Sequence, residues 1–193
     1  NLNFAAGRTI TFNGAQGLDQ FVLPNTSVTL SAGASLTFDG GSENDSWLFS
    51  GGNLTLSDGA ALNFLGGSGN DTWTLPTGNV TLPTTSTLVF TGGTGDDTLT
   101  LAGSSLTVNS DASFTFTGES GNDTLTLPSS TLTLDANATY LFDGGDNHDR
   151  LVIPTNTLVF DVDATFAFNA GGGDDTIDFT GSMLDFAGTA LAF

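Results

Sequence analysis

The sequence predicts an all-β chain wound as a parallel β-solenoid, and three observations carry that prediction. One segment recurs every 26 residues without insertion or deletion, its copies opening at Phe12, Phe38, Phe64, Phe90, Phe116, Phe142 and Phe168. Each copy holds three short groups in which apolar and polar residues alternate, as at Trp73 and Leu75, Val80 and Leu82, and Leu88 and Phe90. Gly, Pro, Asn and Ser separate the groups, the punctuation of short strands rather than of a helix. One copy is too short to bury its own apolar face, so its strands must find hydrogen-bond partners in the copies before and after it.

The whole chain, 1–193, reads as a single repeat domain. Residues 1–11 form the tail of a coil, with Leu2, Phe4 and Ile10 in the places later held by Val28, Leu30 and Leu36. Full coils follow over 12–37, 38–63, 64–89, 90–115, 116–141, 142–167 and 168–193. Three strands per coil predict a triangular cross-section. At about 4.8 Å per coil, seven and a half coils make a rod on the order of 36 Å long. The first strand follows a recurrent aspartate and is stopped by Pro24, Ser50, Pro76, Ala102, Pro128, Pro154 and Thr180. Proline suits a strand end because it need donate no ladder hydrogen bond there. The second corner closes on a small residue: Ala34, Ala60, Ser86, Ala112, Ala138 or Ala164. The third corner is the glycine-rich run. Stacking then makes internal ladders of Phe12 through Phe168 and of Phe21, Trp47, Trp73, Leu99, Leu125, Leu151 and Ile177, both read as core.

Composition narrows the partners. The chain has no lysine, two arginines (Arg8 and Arg150) and 21 acidic residues, a formal net charge of −19. Nucleic acid and anionic membrane both require basic clusters, so neither is expected as a partner. A cation is the natural one. Hydrophobic residues make up 38% of the chain, 16 of them phenylalanine at fixed positions, which separates it from acidic disordered sequences. There is no cysteine, so disulfides and thiolate metal sites are excluded. No apolar run approaches a membrane span, and no leader pattern precedes Asn1, so any secretion signal was removed or lies outside this sequence.

The aspartates at 19, 45, 71, 97, 123, 149 and 175 share the parity of the inward Trp73 and Leu75. Asp19, Asp45, Asp71, Asp97, Asp123, Asp149 and Asp175 are therefore expected to point inward and to stack. Two carboxylates about 4.8 Å apart repel by roughly 3 to 4 kcal/mol at an effective dielectric of 20. Two arginines cannot serve seven positions, so protons or bound cations must neutralise the column. An Asx turn, in which each aspartate caps its own corner, satisfies hydrogen bonds but leaves the charge uncompensated. Oxygen ligands of this kind suit Ca²⁺.

Two corners carry a specific motif. Gly66-Gly67-Ser68-Gly69-Asn70-Asp71-Thr72-Trp73-Thr74 and Gly92-Gly93-Thr94-Gly95-Asp96-Asp97-Thr98-Leu99-Thr100 fit the pattern G-G-x-G-x-D-x-U-x without a mismatch. They resemble the glycine-rich repeats of the RTX (repeats-in-toxin) proteins. That resemblance implies Ca²⁺ between successive corners, held by the motif aspartate and by backbone carbonyls of Gly66, Gly67, Gly69, Gly92, Gly93 and Gly95. Other copies depart from it: Glu119 replaces the second glycine, Glu43 the third, the sixth reads Gly144-Gly145-Asp146-Asn147-His148-Asp149, the seventh opens on Ala170, and the first has Ala15 and Leu18. RTX proteins repeat the nonapeptide back to back, whereas this chain uses it once per 26 residues. The resemblance covers about a third of each coil.

No catalytic constellation is found, and His148, the single histidine, reads as an exposed turn residue, so no enzyme is expected. Thr72 and Thr74, Thr98 and Thr100, and Thr124 and Thr126 form an outward two-column array, with Thr29, Thr55, Thr81, Thr107 and Thr133 in a further column. Such arrays resemble ice-binding solenoids, although threonine is also simply a favoured outward strand residue. Neither end carries a polar cap, and Leu191 and Phe193 slip one residue from register. Two explanations stand open, a segment of a longer array such as an adhesin or surface-layer protein, and a subunit that associates end to end into a filament. The expected role is that of a calcium-binding structural solenoid, extracellular or at the cell surface, where calcium is millimolar; the competing expectation is ice binding.

Overall fold

The computed structural model describes residues 1–103, 105–154, 157–181 and 183–186, the last four by their backbone alone. These residues form an all-β parallel solenoid of about 7 turns, built as three stacked sheets, with no helix among the described residues. The sheets contain 8, 7 and 7 strands, and every neighbour in a sheet comes from an adjacent coil. One coil shows the plan: Thr72–Leu75, then Val80–Leu82, then Thr87–Thr94. Register is exact at one period, with Trp73 opposite Leu99, Val80 opposite Leu106 and Phe90 opposite Phe116. The slipped segment ending in Leu191 and Phe193 lies outside the described residues.

Two boundaries differ from the sequence reading. The third strand is 8 residues long and runs through the first two glycines of the motif, as in Ala61–Ser68 and Thr87–Thr94. Pairing skips the first of them: Asp39 pairs with Leu65 and Gly41 with Gly67, while Gly40 and Gly66 fall between. The glycine corner is therefore confined to the last part of the motif, just before the aspartate. Pro24 also closes its strand from within, as the last residue of Gln20–Pro24. The tight second corner matches expectation, with the amide of Ala60 donating to Ser57 and that of Ala112 to Asn109.

The core runs the length of the rod. Phe38, Phe64, Phe90, Phe116 and Phe142 are buried, and stacked ring centroids lie 5.2 Å apart for Phe38 and Phe64, 4.7 Å for Phe64 and Phe90, and 5.3 Å for Phe116 and Phe142. Between Phe90 and Phe116 the regular stacking gives way to a tilted contact of Phe90 with Phe114, 6.0 Å away. Aromatic bulk changes column there. Trp47 and Trp73 stack in the early coils, where a second core column holds Leu36, Leu62 and Leu88; in later coils the first column holds Leu99 and Leu125, and the second the stacked Phe114 and Tyr140. A conserved cross-section must hold a near-constant side-chain volume, so one column grows where the other shrinks.

Phe90→Ala should cost about 3 to 5 kcal/mol of unfolding free energy, the usual range for a fully buried phenylalanine. Phe12→Ala, at a ring 42% exposed, should cost clearly less. Urea denaturation followed by circular dichroism measures both.

Candidate metal centre

The glycine corner brings the aspartate column inside. Asp45, Asp71, Asp97, Asp123 and Asp149 are at most 2% exposed, while Asp19 and Asp175 toward the two ends are half-buried. Inward parity follows from the strand that begins next to each aspartate, since alternation fixes its side as that of Trp73 and Leu75.

Each carboxylate uses its two oxygens differently. Oδ1 accepts the backbone N–H of the aspartate one coil earlier: Asp71 N–H donates to Asp97 Oδ1 at 2.7 Å, and Asp97 N–H to Asp123 Oδ1 at 2.7 Å. The ladder extends from Asp19 to Asp175, which accepts from Asp149 at 2.8 Å. Oδ2 has no partner. In Asp19, Asp45, Asp71, Asp97, Asp123 and Asp149 it is buried and without a hydrogen bond. A native protein rarely buries an unsatisfied carboxylate oxygen, because the desolvation is not returned.

What packs against Oδ2 is the first glycine of each corner. A Cβ built on Gly66 would stand closer than 3.0 Å to Asp71 Oδ2 and to the carbonyl oxygen of Gly92 in the next coil. Gly14, Gly40, Gly92, Gly118 and Gly144 repeat the arrangement with Asp19, Asp45, Asp97, Asp123 and Asp149, and with the carbonyls of Gly40, Gly66, Gly118, Gly144 and Ala170. A carboxylate oxygen and a carbonyl oxygen of successive coils thus both lie against one glycine, in the room a side chain would take. Among the described residues no three His, Cys, Asp or Glu side chains converge on one point. Any cation here would rely on backbone oxygens beside the single carboxylate, a hard oxygen set that fits Ca²⁺.

Of the glycines the motif points to, Gly66 and Gly92 lie against these oxygens. Gly67, Gly93, Gly69 and Gly95 do another job: they have positive φ, and a Cβ on any of them would run into the backbone of the preceding corner. They permit the coils to approach. Glu43 and Glu119 take positive φ at equivalent places, 78° and 77°, at the cost of the strain a side chain meets there.

A second ladder, beyond what the sequence analysis predicts, runs outside the first. Asn44 Oδ1 accepts the Asn70 N–H at 2.8 Å, Asn70 Oδ1 the Asp96 N–H at 3.0 Å, Asp96 Oδ1 the Asn122 N–H at 2.7 Å, and Asn122 Oδ1 the His148 N–H at 3.2 Å. His148 continues it, Nδ1 accepting the Asp174 N–H at 2.8 Å, which places its ring proton on Nε2. The signal was present: the residue before the motif aspartate is Asn, Asp or His in every coil after the first.

Burial raises the pKa values of the column. Desolvation is the largest cause, offset by the N–H from the preceding coil and reinforced by neighbouring carboxylates; Asp71 is pushed up to about 6, and Asp97 and Asp123 to about 7. Asp45 and Asp149 shift in the same direction for the same leading reason.

Fold and corner together define the chain as a parallel β-solenoid with an internal carboxylate column. Compared with protein-family models, curated proteins and solved structures, it matches none of them.

The raised values fix a sign. In the ion-free chain the folded carboxylates hold their protons to higher pH than the unfolded ones at 3.8, so the stabilisation is complete below about pH 4 and lost as pH rises through 6 to 7. Melting temperature in chelator should fall from pH 4 to pH 8, and the double variant Asp97→Asn, Asp123→Asn should flatten that slope. An equally steep slope in the variant would assign it to general surface repulsion.

Proposed function

We propose that the chain is a calcium-binding structural solenoid that works outside the cell, as a filament subunit or as a segment of a surface adhesin or surface-layer protein. The observation that supports it is the run of buried Asp Oδ2 atoms, each without a partner and each facing a carbonyl oxygen of the next coil. A divalent cation supplies what that column lacks: it neutralises charge that neither arginine reaches, since Arg150 pairs on the surface with Asp178 at 2.7 Å. The chain's own residues hold the corner ready by fixing Oδ1 in the backbone ladder. Ion binding then adds inter-coil ties along one edge of the triangle. Weak extracellular sites, with dissociation constants of about 10⁻⁴ to 10⁻³ M, leave the corner uncompensated in the cytosol and stiffen it after export. End-to-end association extends the same column between copies.

Calcium is expected to raise stability by RT ln(1 + [Ca²⁺]/Kd) per site, about 1.4 kcal/mol at tenfold excess. Asp97→Ala should reduce the calcium stoichiometry and shrink the calcium-dependent rise in melting temperature; unchanged affinity and stoichiometry in that variant remove the assignment. Electron microscopy in millimolar calcium and in chelator tests the assembly: fibres that vanish on chelation support the filament, isolated rods the segment.

A second reading rests on the outward threonines. Thr72, Thr98 and Thr124 are in register, as are Thr74, Thr100 and Thr126, and none of their hydroxyls is bonded within the described residues. Regularly spaced free hydroxyls suit an ice surface. Thermal hysteresis that disappears in a variant carrying Thr98→Tyr and Thr100→Tyr decides for ice; absence of hysteresis in the parent decides against it.

A further inference from the structure

The sheet built from the third strands presents the widest outward face of the rod. Each of its strands turns three alternate residues outward, as Thr87, Val89 and Thr91 do, whereas Thr72–Leu75 turns out two and Val80–Leu82 one. Parallel register stacks these rows into three columns over seven strands, from Thr9, Thr11 and Asn13 to Thr165, Ala167 and Asn169. We propose that this face pairs with the same face of a second copy, the two rods lying parallel and side by side. The pairing is lateral, distinct from end-to-end association, and does not rest on calcium.

Charge singles this face out. The chain has a formal net charge of −19, yet of these outward positions, all among the described residues, only Asp39 and Asp143 are charged. A neutral amide holds each of them within its column: Asn13 Nδ2 donates to Asp39 Oδ2 at 3.2 Å, and Asn169 Nδ2 to Asp143 Oδ1 at 2.8 Å. The three rows between them carry only Ala, Asn, Leu, Thr, Val and Ser. Depletion of charge at the centre of a patch is what separates an interface core from ordinary surface. Seven strands about 4.8 Å apart and five residues wide make a face of roughly 500 Å², so two copies cover on the order of 1,000 Å², the lower bound of a specific interface. Short side chains on a fixed sheet lose little rotamer freedom on docking, which lowers the cost of a pair this size.

The columns select the orientation. Two rods related by a two-fold axis along their length meet row by row, the first column of one opposite the third column of the other. Ser35 then stands opposite Asp39, Ala61 opposite Leu65 and Thr139 opposite Asp143, so each large or charged residue meets a small or hydroxyl-bearing one. Val89 and Leu141, in the middle column, meet their own copies, and Leu65, 36% exposed in the single rod, is covered. Antiparallel rods with the same overlap would set each column against itself in reverse order and bring Asp39 against Asp143, a like-charge contact inside the interface.

The test is sedimentation equilibrium of the chain in chelator and about 0.15 M NaCl, where corner charges are screened over a Debye length of about 8 Å. A monomer–dimer equilibrium is expected below about 1 mM, the weak end of specific association. Val89→Asp, which sets two carboxylates against each other, should weaken it by about tenfold or more, whereas Thr81→Asp adds the same charge on another face and should leave it unchanged. Thr115→Asp repeats the first comparison one strand away should Val89→Asp not fold. The chain has no cysteine, so orientation can be read from single substitutions: Leu141→Cys should couple to itself through a short bismaleimide. A monomer throughout, or self-association that Val89→Asp and Thr115→Asp leave unchanged, overturns the proposal, the latter assigning the association to the rod ends. Coupling of Leu141→Cys only to a Thr37→Cys partner overturns the parallel arrangement, and a dimer seen in calcium but not in chelator assigns the contact to the ion. None of these outcomes bears on whether the single rod binds calcium.

Discussion

A carboxylate buried in every coil is the constraint around which the rest of the rod is arranged. Stacked charges at the inter-strand spacing cost several kcal/mol per neighbour unless something answers them. The chain answers half of each group with a backbone N–H from the coil before and leaves the other oxygen facing the coil after. That arrangement explains why the period never varies. One inserted residue between corners would reverse strand parity, turn the aspartate outward and the apolar residues with it, and break a ladder that is otherwise in register from Asp19 to Asp175.

The two side-chain ladders at this corner run in opposite directions. Each inner aspartate accepts from the coil before it, whereas each outer Asn, Asp or His accepts from the coil after it. Adjacent backbone amides, those of Asp96 and Asp97 for instance, are thereby committed to opposite neighbours, and the corner is tied both ways without any side-chain ion pair. Polar corners and apolar strands then reinforce one register. The stacked phenylalanines fix it by shape, the corner amides by hydrogen bonds.

The fold was legible because the repeat displays its own parity. Trp73 and Leu75 fixed the inward side, and Asp71, two residues before Trp73, had to share it; the five central aspartates are indeed buried. The strand through Gly66 and Gly67 was not legible, since glycine reads as a breaker and the pairing that extends the strand there is supplied by other coils. The exchange of bulk between Trp73 and Phe114 was also hidden. It is a relation between columns that are distant in sequence and only meet across the core. In the site, parity placed the carboxylates but could not divide Oδ1 from Oδ2, and it could not distinguish Gly66, which makes room for the carboxylate, from Gly67, which permits close approach of the coils. The outer ladder could have been read from Asn44, Asn70, Asp96, Asn122 and His148 alone, which share little beyond an acceptor at the same distance from the backbone.

The corner's incompleteness has a structural logic. If every polar atom in the column were satisfied by the chain itself, the rod would be as stiff inside a cell as outside it, and nothing in its surroundings could change that. Leaving one oxygen per coil without a partner ties the column's stability to its protonation and, on the calcium reading proposed above, to a cation at neutral pH. Because each carboxylate already holds the preceding coil through Oδ1, an ion shared with the next coil's carbonyl would link three coils through one side chain. On that reading, occupancy at one corner would bear on the geometry of both neighbours, and a column of weak sites would stiffen as a unit where a single such site would give only a local gain.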